Sequence, residues 1–376
     1  MRFVHTADWQ IGMKAEGTGP AADTVRNQRI DTARRVIEEA NAYGADFILI
    51  AGDLFEHNAI DRTLIRRVTD VLADAKSPVY IIPGNHDPFV PGSVWSHPAW
   101  AEKSNLHILT TREPIELPGG TLYPCPLTEK HSMADPTAWI KPTEHERIRI
   151  GIAHGTVEGV PVDEPDYPIP RDAANQRGLD YLALGHWHST STYLDPEGAE
   201  RMAYSGTHEP SKFGERDSGN ILKIEIDAPG SAPKIERVHV GVLSWMVIEH
   251  EISAAGDFKA LRDQFDALPS PGATLLDIRI TGLIHAADQA ELDRIREIVD
   301  SGRYLHARVD DAALVPTPDD DEWLAALPPG VVREVAEELR GLARPEHAGE
   351  RPEGATAPVA GRALLELYRL VQEHRA

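Results

Sequence analysis

Acidic, amide and imidazole side chains stand directly after short apolar runs of this sequence. The run at 79–82 (VYII) ends in Pro-Gly and is followed at once by Asn85, His86 and Asp87. A β-branched and aromatic run that closes on Pro-Gly is typical of a buried strand that opens into a tight loop. Three polar groups able to do chemistry therefore arrive together at the end of one predicted strand.

The same arrangement recurs along the first half of the chain. Other apolar runs, each with the pattern of a buried strand, also end in aspartate or histidine. In open α/β sheets the carboxyl ends of the strands form the edge where ligands bind. The residues that these runs deliver are Asp8, Asp53, His154, His186 and His188.

This combination of side chains predicts a metal centre. Imidazole, carboxylate and amide ligands together suit Mn²⁺, Fe²⁺ or Zn²⁺, whereas Mg²⁺ and Ca²⁺ sites usually carry oxygen ligands alone. Two cations about 3.5–4 Å apart can share one carboxylate and activate a water for attack on phosphorus, and Asp53 is the natural bridge. His86 is placed to stabilise the transition state or to donate a proton, since a histidine pKa is ordinarily about 6.5. We therefore expect a two-metal phosphoesterase.

The elements around these residues predict an α/β fold. A helix over 24–43, a strand over 47–50 and a helix from Asp61 lie between the first strand and the run at 79–82. This βαβαβ order favours a parallel sheet with right-handed crossovers. Its loops should bring Asp8, Asp53 and Asn85 to one edge.

Later runs predict a second sheet. Short alternating runs over 106–126 suggest antiparallel strands that continue the core, and strands over 221–226 and 235–240 are expected to close the second sheet. The predicted fold class is α/β: a two-sheet sandwich flanked by helices, with a small α+β domain and a C-terminal helical tail.

Three segments divide the chain. The main domain is expected over 1–243 and the small α+β domain over 244–310. The tail over 311–376 carries an acidic run at 319–322, a linker at 343–358 and two amphipathic helices, around 331–342 and 363–371. The apolar stripe of the last helix is predicted to pack within the chain or against a partner.

Composition restricts the class of protein. The 376 residues carry a net charge of −22, which disfavours a nucleic-acid site spread over the average surface but permits a local one at bound cations. No apolar run approaches the roughly 20 residues of a membrane span, and the first residues do not resemble a signal segment. The single cysteine, Cys125, excludes an internal disulfide. We expect a cytoplasmic protein without membrane contact.

The motifs resemble those of a known family. The runs HTADW at 5–9, GDLF at 52–55, GNHD at 84–87 and GHWH at 185–188, together with His154, are similar to the calcineurin-like metallophosphoesterase superfamily. They look most like its DNA repair exonuclease branch, which includes the bacterial SbcD nuclease subunits. The resemblance covers about residues 1–240. The later segments match that branch's capping domain and ATPase-binding tail in layout only.

The resemblance assigns roles to these residues. It implies that Asp8, Asp53 and His188 hold one cation, that Asp53, Asn85, His154 and His186 hold the other, and that His86 is the catalytic histidine. It further implies a Mn²⁺-dependent 3′-to-5′ DNA exonuclease and single-strand endonuclease, which works with an SbcC-like coiled-coil ATPase and is compatible with a homodimer. Two alternatives stay open: a small-molecule or phosphoprotein phosphatase, and a weakened scaffold subunit of an ATPase complex.

One position departs from the family. The first motif usually reads Asp-x-His, and this chain has Gln10 in place of the histidine. A glutamine oxygen is a weaker ligand for Mn²⁺ than imidazole, so the first cation should bind loosely. Further candidates for contact with substrate are Lys14, His57, His208 and Lys212, with surface or packing roles as the alternative.

Overall fold

The computed structural model describes residues 1–142, 146–160, 165–253, 256–317, 322–344 and 356–374. The chain divides into two compact units, Met1–Trp245 and Met246–Ala376. Part of the acidic run, at 319–321, and most of the predicted linker, at 345–355, lie outside the described residues. The predicted boundary between a small domain and a tail at residue 310 stays a prediction.

The first unit is built mainly from strands that form two sheets. Its helices are α1 (Ala22–Tyr43), α2 (Arg62–Ala73) and α3 (Ala173–Gln176). Its strands are β1 (Arg2–Thr6), β2 (Phe47–Ala51), β3 (Val79–Ile82), β4 (Leu106–Ile108), β5 (Ile115–Leu117), β6 (Gly120–Cys125), β7 (Ile148–His154), β8 (Tyr181–Gly185), β9 (Ser191–Leu194), β10 (Glu200–Tyr204), β11 (Asn220–Glu225) and β12 (Lys234–His239).

The first sheet has the order β12-β11-β1-β2-β3-β4. Strands β1 to β4 are parallel, as the βαβαβ pattern predicts for the first three. Two predictions are wrong here. Strands β11 and β12 do not close the second sheet: they extend the first, because β11 pairs antiparallel with β1, placing Phe3 opposite Ile224. Strand β4 is parallel to β3 instead of antiparallel.

The second sheet has the order β5-β6-β7-β8-β10-β9. Strands β6, β7 and β8 are parallel, and β5 forms an antiparallel hairpin with β6. Apolar side chains of both sheets pack face to face, including Phe3 and Leu49 from the first and Ile150 and Tyr181 from the second. Helices α1 and α2 cover the opposite face of the first sheet. The predicted two-sheet α/β architecture flanked by helices is confirmed.

The second unit contains a three-stranded sheet in the order β13-β14-β15, with β14 and β15 parallel. The apolar stripe of its last helix packs within the same unit, where Leu364 and Leu367 lie against Leu327 and Ala336. Within the described residues, helices long and apolar enough to cross a membrane are absent. The elements of the second unit are β13 (Ser244–Ile252), whose first two residues belong to the first unit, α4 (Asp257–Asp266), β14 (Thr274–Ile284), α5 (Gln289–Asp300), β15 (His306–Pro316), α6 (Glu322–Ala325), α7 (Val331–Ala343) and α8 (Ala357–Glu373).

Candidate metal centre

The carboxyl ends of parallel strands in both sheets carry the predicted site residues. Asp8, Asp53 and Asn85 lie in the loops after β1, β2 and β3, whereas His154 ends β7 and His186 follows β8. The parallel order of each sheet brings these strand ends to common edges. The two sheets therefore contribute to one pocket.

Three of these side chains form a tight cluster. One ligand atom each from Asp8, Asp53 and His154 lies within 4.8 Å of the others. His154 Nε2 is 3.4 Å from Asp53 Oδ2 and 2.8 Å from Asn85 Oδ1. The same amide oxygen lies 3.3 Å from His186 Nδ1. Carboxylate, amide and imidazole donors therefore converge on one small volume.

The backbone at the site adopts conformations that non-glycine residues rarely occupy. Asp8, Asp53 and His186 have φ values of 54°, 50° and 108°, and Gln10 has a φ of 42°. Residues held at positive φ cost of order 1–3 kcal/mol each and cluster at functional sites. The main-chain amide of His186 donates to both carboxylate oxygens of Asp8, at 2.9 and 3.1 Å. This strained turn therefore also fixes the Asp8 carboxylate.

Glycines beside the ligands allow this close packing. A Cβ atom at Gly52 would lie 2.3 Å from His154 Nδ1, and one at Gly84 would lie 2.2 Å from Asp53 Oδ1. A Cβ atom at Gly185 would lie 1.9 Å from the Ala51 carbonyl oxygen. The glycines of the GD, GNHD and GHWH motifs are thus needed for space around the ligands.

Burial and mutual charge govern the protonation of the cluster. Burial raises the pKa of Asp8 to about 6, although the His154 and His188 charges oppose the shift. Burial also favours a higher pKa for Asp53, but His154 and His86 hold it well below its usual range. Burial disfavours a charged His154, yet Asp53 and Asp8 raise the pKa of this imidazole to about 9. Two buried carboxylates therefore favour a positive charge at the centre of the cluster.

These observations fit a divalent cation. Asp8 and Asp53 have side chains that are 0% and 2% exposed, and burying carboxylates is costly unless a positive charge compensates them. Asn85, His154 and His186 add an amide oxygen and ring nitrogens, the donor set expected for Mn²⁺, Fe²⁺ or Zn²⁺. The residues present can therefore hold the metal that the sequence predicts.

His86 lies at the edge of the cluster, where it stays accessible. Its main-chain amide donates to Asp53 Oδ1 at 2.9 Å, and its ring is 34% exposed. Its Nδ1 lies 3.0 Å from the carbonyl oxygen of Glu56. A carbonyl oxygen only accepts, so Nδ1 carries the hydrogen and Nε2 is left for a substrate.

Other predicted residues occupy different environments. Gln10 is buried beside the cluster, and its main-chain amide donates to the Asp53 carbonyl oxygen at 2.9 Å. Lys14 is exposed and pairs with Glu16 at 3.3 Å. His57 accepts a hydrogen bond from the Ala59 amide within its own turn. These placements leave substrate contacts by Lys14 and His57 as predictions.

The structure gives His208 a buried environment, and a substrate contact by this residue stays a prediction. The residue is fully buried, its ring centroid lies 4.9 Å from that of Trp9, and Nε2 lies 2.8 Å from the Arg29 carbonyl oxygen. Arg29 in turn donates to the carbonyl oxygens of Trp9 and Glu209. His208 therefore belongs to a buried polar network beneath the first motif.

Two carboxylates support the site: Glu215, which the sequence analysis did not identify, and Asp87, to which it assigned no specific role. Glu215 Oε1 lies 2.7 Å from His188 Nδ1, and Asp87 accepts the main-chain amides of Phe55 and Gly84. Asp87 directly follows His86, so its place in the motif was the available signal. Glu215 lies in an irregular loop, where no spacing pattern points to it.

The fold and the site together define a metal-dependent phosphoesterase. The chain belongs to the calcineurin-like phosphoesterase family, whose family model matches residues 1–190. It is 25% identical over 293 residues to the uncharacterized metallophosphoesterase YhaO of Bacillus subtilis (strain 168), covering 73% of this chain and 69% of that protein. It is also similar to the crystal structure of TT1561 of Thermus thermophilus, with a TM-score of 0.42 and 13% identity over 64% of this chain and 98% of that one. Membership of the superfamily is confirmed.

Proposed function

We propose that this chain is a Mn²⁺-dependent DNA nuclease, the nuclease subunit of an SbcCD-like DNA repair complex. The observation that carries the proposal is the position of the Asp53 carboxylate. One of its oxygens accepts the His86 amide at 2.9 Å, and the other lies 3.4 Å from His154 Nε2. Asp53 thus stands between the predicted ligands and the predicted catalytic histidine.

The ligands divide into two sets that share Asp53. Asp8, Asp53 and His188 would hold the first cation, with the oxygen of Gln10 as a further donor. Asp53, Asn85, His154 and His186 would hold the second. When bound, such a pair supplies Lewis acidity and activates a water molecule for attack on the phosphodiester.

His86 is positioned to serve the leaving group. The Glu56 carbonyl oxygen holds Nδ1, and the Glu56 carboxylate lies 3.9 Å from the same nitrogen. A protonated His86 would donate from Nε2 to the 3′-oxygen that departs from phosphorus. Positioned proton transfer of this kind contributes about 10²–10⁴-fold to a rate.

DNA as substrate and an ATPase as partner account for features beyond the metal ligands. The second unit places three strands and several helices after the phosphoesterase unit, in the order that the resemblance assigns to a capping domain and an ATPase-binding tail. The net charge of −22 repels DNA over most of the surface. A coiled-coil ATPase partner would supply much of the basic surface that DNA binding needs.

The test is hydrolysis by the purified chain. Labelled linear and hairpin DNA are incubated with Mn²⁺, with a chelator control, and bis-p-nitrophenyl phosphate is assayed in parallel. We expect Mn²⁺-dependent DNA cleavage that falls about 10²–10⁴-fold in His86→Ala. His107→Ala, which alters an exposed histidine on β4, is the matched control.

Two outcomes would overturn the proposal. Efficient hydrolysis of p-nitrophenyl phosphate without any cleavage of DNA would identify a phosphatase. The departure at Gln10 favours a second candidate, a weakened scaffold subunit of an ATPase complex. Poor occupancy of the first cation, with residual cleavage unaffected by His86→Ala, would support that candidate.

A further inference from the structure

A cavity of about 420 Å³ opens beside the two histidines that follow β8. His186 and His188 form one wall, and the loop 212–216 forms another. Trp187, Lys212, Phe213 and Arg216 also line it, together with Glu215, whose Oε1 is already engaged by His188 Nδ1 and the Ser211 hydroxyl. The cavity therefore begins at predicted metal ligands and extends along a surface that no step of the proposed hydrolysis uses.

Two cationic side chains stand on this surface against one carboxylate, whereas acidic residues outnumber basic ones in the chain as a whole. The sequence has 60 acidic and 38 basic residues, so carboxylates are available to pair with most cations. Lys212 and Arg216 are nevertheless exposed, and neither forms an ion pair with a carboxylate of the described residues. Two unpaired cations beside a metal centre are placed to contact an anion.

The same loop supplies an aromatic surface. Phe213 is half-buried, and its ring packs edge-to-face on Trp245 with centroids 4.9 Å apart, which limits its motion. Trp187 is also half-buried and stands between the two histidines in sequence. An aromatic surface flanked by cations is the arrangement with which proteins bind single-stranded nucleic acid, because bases stack while cations contact phosphates.

We propose that this cavity is a nucleotide subsite. It takes the nucleotide next to the scissile phosphate of single-stranded DNA, with the base against Phe213 and Trp187 and the adjoining phosphate at Lys212 and Arg216. The inference rests on the proposed function and deepens it by naming the residues that would contact the nucleotide. A phosphoprotein offers a phosphate but no base, so it would leave the aromatic surface unused.

A second cavity at the site suits this role less well. It has a volume of about 640 Å³ and is lined by Asn85, His131, Asp166 and His186 among others. Its cationic candidate, His131, already lies 3.1 Å from the Asp166 carboxylate. That carboxylate would repel a phosphate, so the nucleotide is assigned to the side of Lys212 and Arg216.

The experiment compares three substrates in each variant. Bis-p-nitrophenyl phosphate has neither base nor second phosphate, the p-nitrophenyl ester of thymidine 5′-monophosphate adds a base, and a single-stranded oligothymidylate adds both. The variants are Phe213→Leu, Phe213→Tyr and Lys212→Ala combined with Arg216→Ala. Lys76→Ala is the matched control, because Lys76 is exposed and precedes β3, at the opposite end of that strand from Asn85.

The ratio of kcat/KM values between substrates is the readout, because it does not depend on the fraction of folded enzyme. Phe213→Leu should lower kcat/KM for both base-containing substrates, relative to that for bis-p-nitrophenyl phosphate, by about 5-fold or more. Phe213→Tyr should restore these kcat/KM ratios. The combined Lys212 and Arg216 substitutions should lower kcat/KM for the oligothymidylate alone and reduce the salt dependence of its cleavage. Lys76→Ala should leave every ratio unchanged.

Failure of the proposed nuclease function and failure of the proposed subsite give different results. If the unmodified chain cleaves the diester but not the oligothymidylate, the proposed DNA nuclease function is wrong and the subsite is wrong with it. If it cleaves the oligothymidylate and the ratios do not change in the loop variants, only the subsite is wrong. Dephosphorylation of a phosphoserine peptide with the same dependence on Phe213 would also overturn the nucleotide assignment.

Discussion

The Nδ1 atom of His188 lies 2.7 Å from Oε1 of Glu215, which is held in turn by the side-chain hydroxyl of Ser211. The main-chain amide of Ser211 donates to the second oxygen of Glu215 at 2.8 Å. A carboxylate on Nδ1 fixes the tautomer and orientation of an imidazole, so that Nε2 faces the metal. Glu215 is therefore a positioning residue for one predicted ligand of the first cation.

Glu215→Gln should weaken metal binding. The substitution keeps the size of the side chain but removes the charge that orients His188, and changes of this kind typically cost 10–100-fold in metal affinity. Isothermal titration with Mn²⁺ measures the effect. Glu236→Gln, on the exposed face of β12, is the matched control. Equal affinities in the two variants would show that the Glu215 contact is only structural.

Gln10→His should strengthen the first cation site. Gln10 is buried beside Asp8 and Asp53, and its φ of 42° is tolerated by histidine better than by most residues. Imidazole is the stronger ligand for Mn²⁺, so we expect a gain of about 10-fold or more in affinity. Gln176→His, at an exposed position in α3, is the control. Unchanged occupancy in a Mn²⁺ titration would contradict the assignment.

Gly52→Ala should destabilise the fold through crowding at His154. Gly52 and Gly198 have nearly the same φ, 89° and 88°, so alanine is equally strained at both. Only at Gly52 does the new Cβ atom meet a neighbour, His154 Nδ1 at 2.3 Å, whereas Gly198 has nothing within 4 Å. Overpacking costs about 1–3 kcal/mol. Urea unfolding should show that additional loss for Gly52→Ala, and equal losses would refute the crowding.

Cys125 should be inert as a nucleophile. The residue is fully buried, and this burial raises the pKa of its thiol to about 12, although Trp139 Nε1 donates to the sulfur at 3.3 Å. Since the thiolate is the reactive form, the native protein should not react with Ellman's reagent at pH 8. The same protein in guanidinium chloride should react fully. Rapid modification of the native chain would contradict this packing role.

The strand ends were predictable from the sequence because a short run of apolar residues is a local signal of a buried strand. Asp8, Asp53 and Asn85 follow such runs, and the parallel order of β1, β2 and β3 follows from the intervening helices. Strand pairing between distant segments is not a local signal. The apolar residues of 220–225 predict a strand that would fit either sheet. Only the pairing with β1 decides which sheet this strand joins.

Loop residues show the same limit. His208 lies in the loop after β10, where its packing on Trp9 places it in a buried network. Glu215 carries no periodic pattern and contacts His188 only because the loop after β10 folds back. The sequence therefore did not predict the environment of either residue, since side-chain contacts in loops depend on tertiary packing.

The most direct test of the account is anomalous diffraction from crystals of the protein grown with Mn²⁺. A two-metal centre should give two peaks about 3.5–4 Å apart, on either side of the Asp53 carboxylate. Asp8 and His188 should contact one peak, and Asn85, His154 and His186 the other. A single peak, or two peaks that do not share Asp53, would contradict the two-metal mechanism.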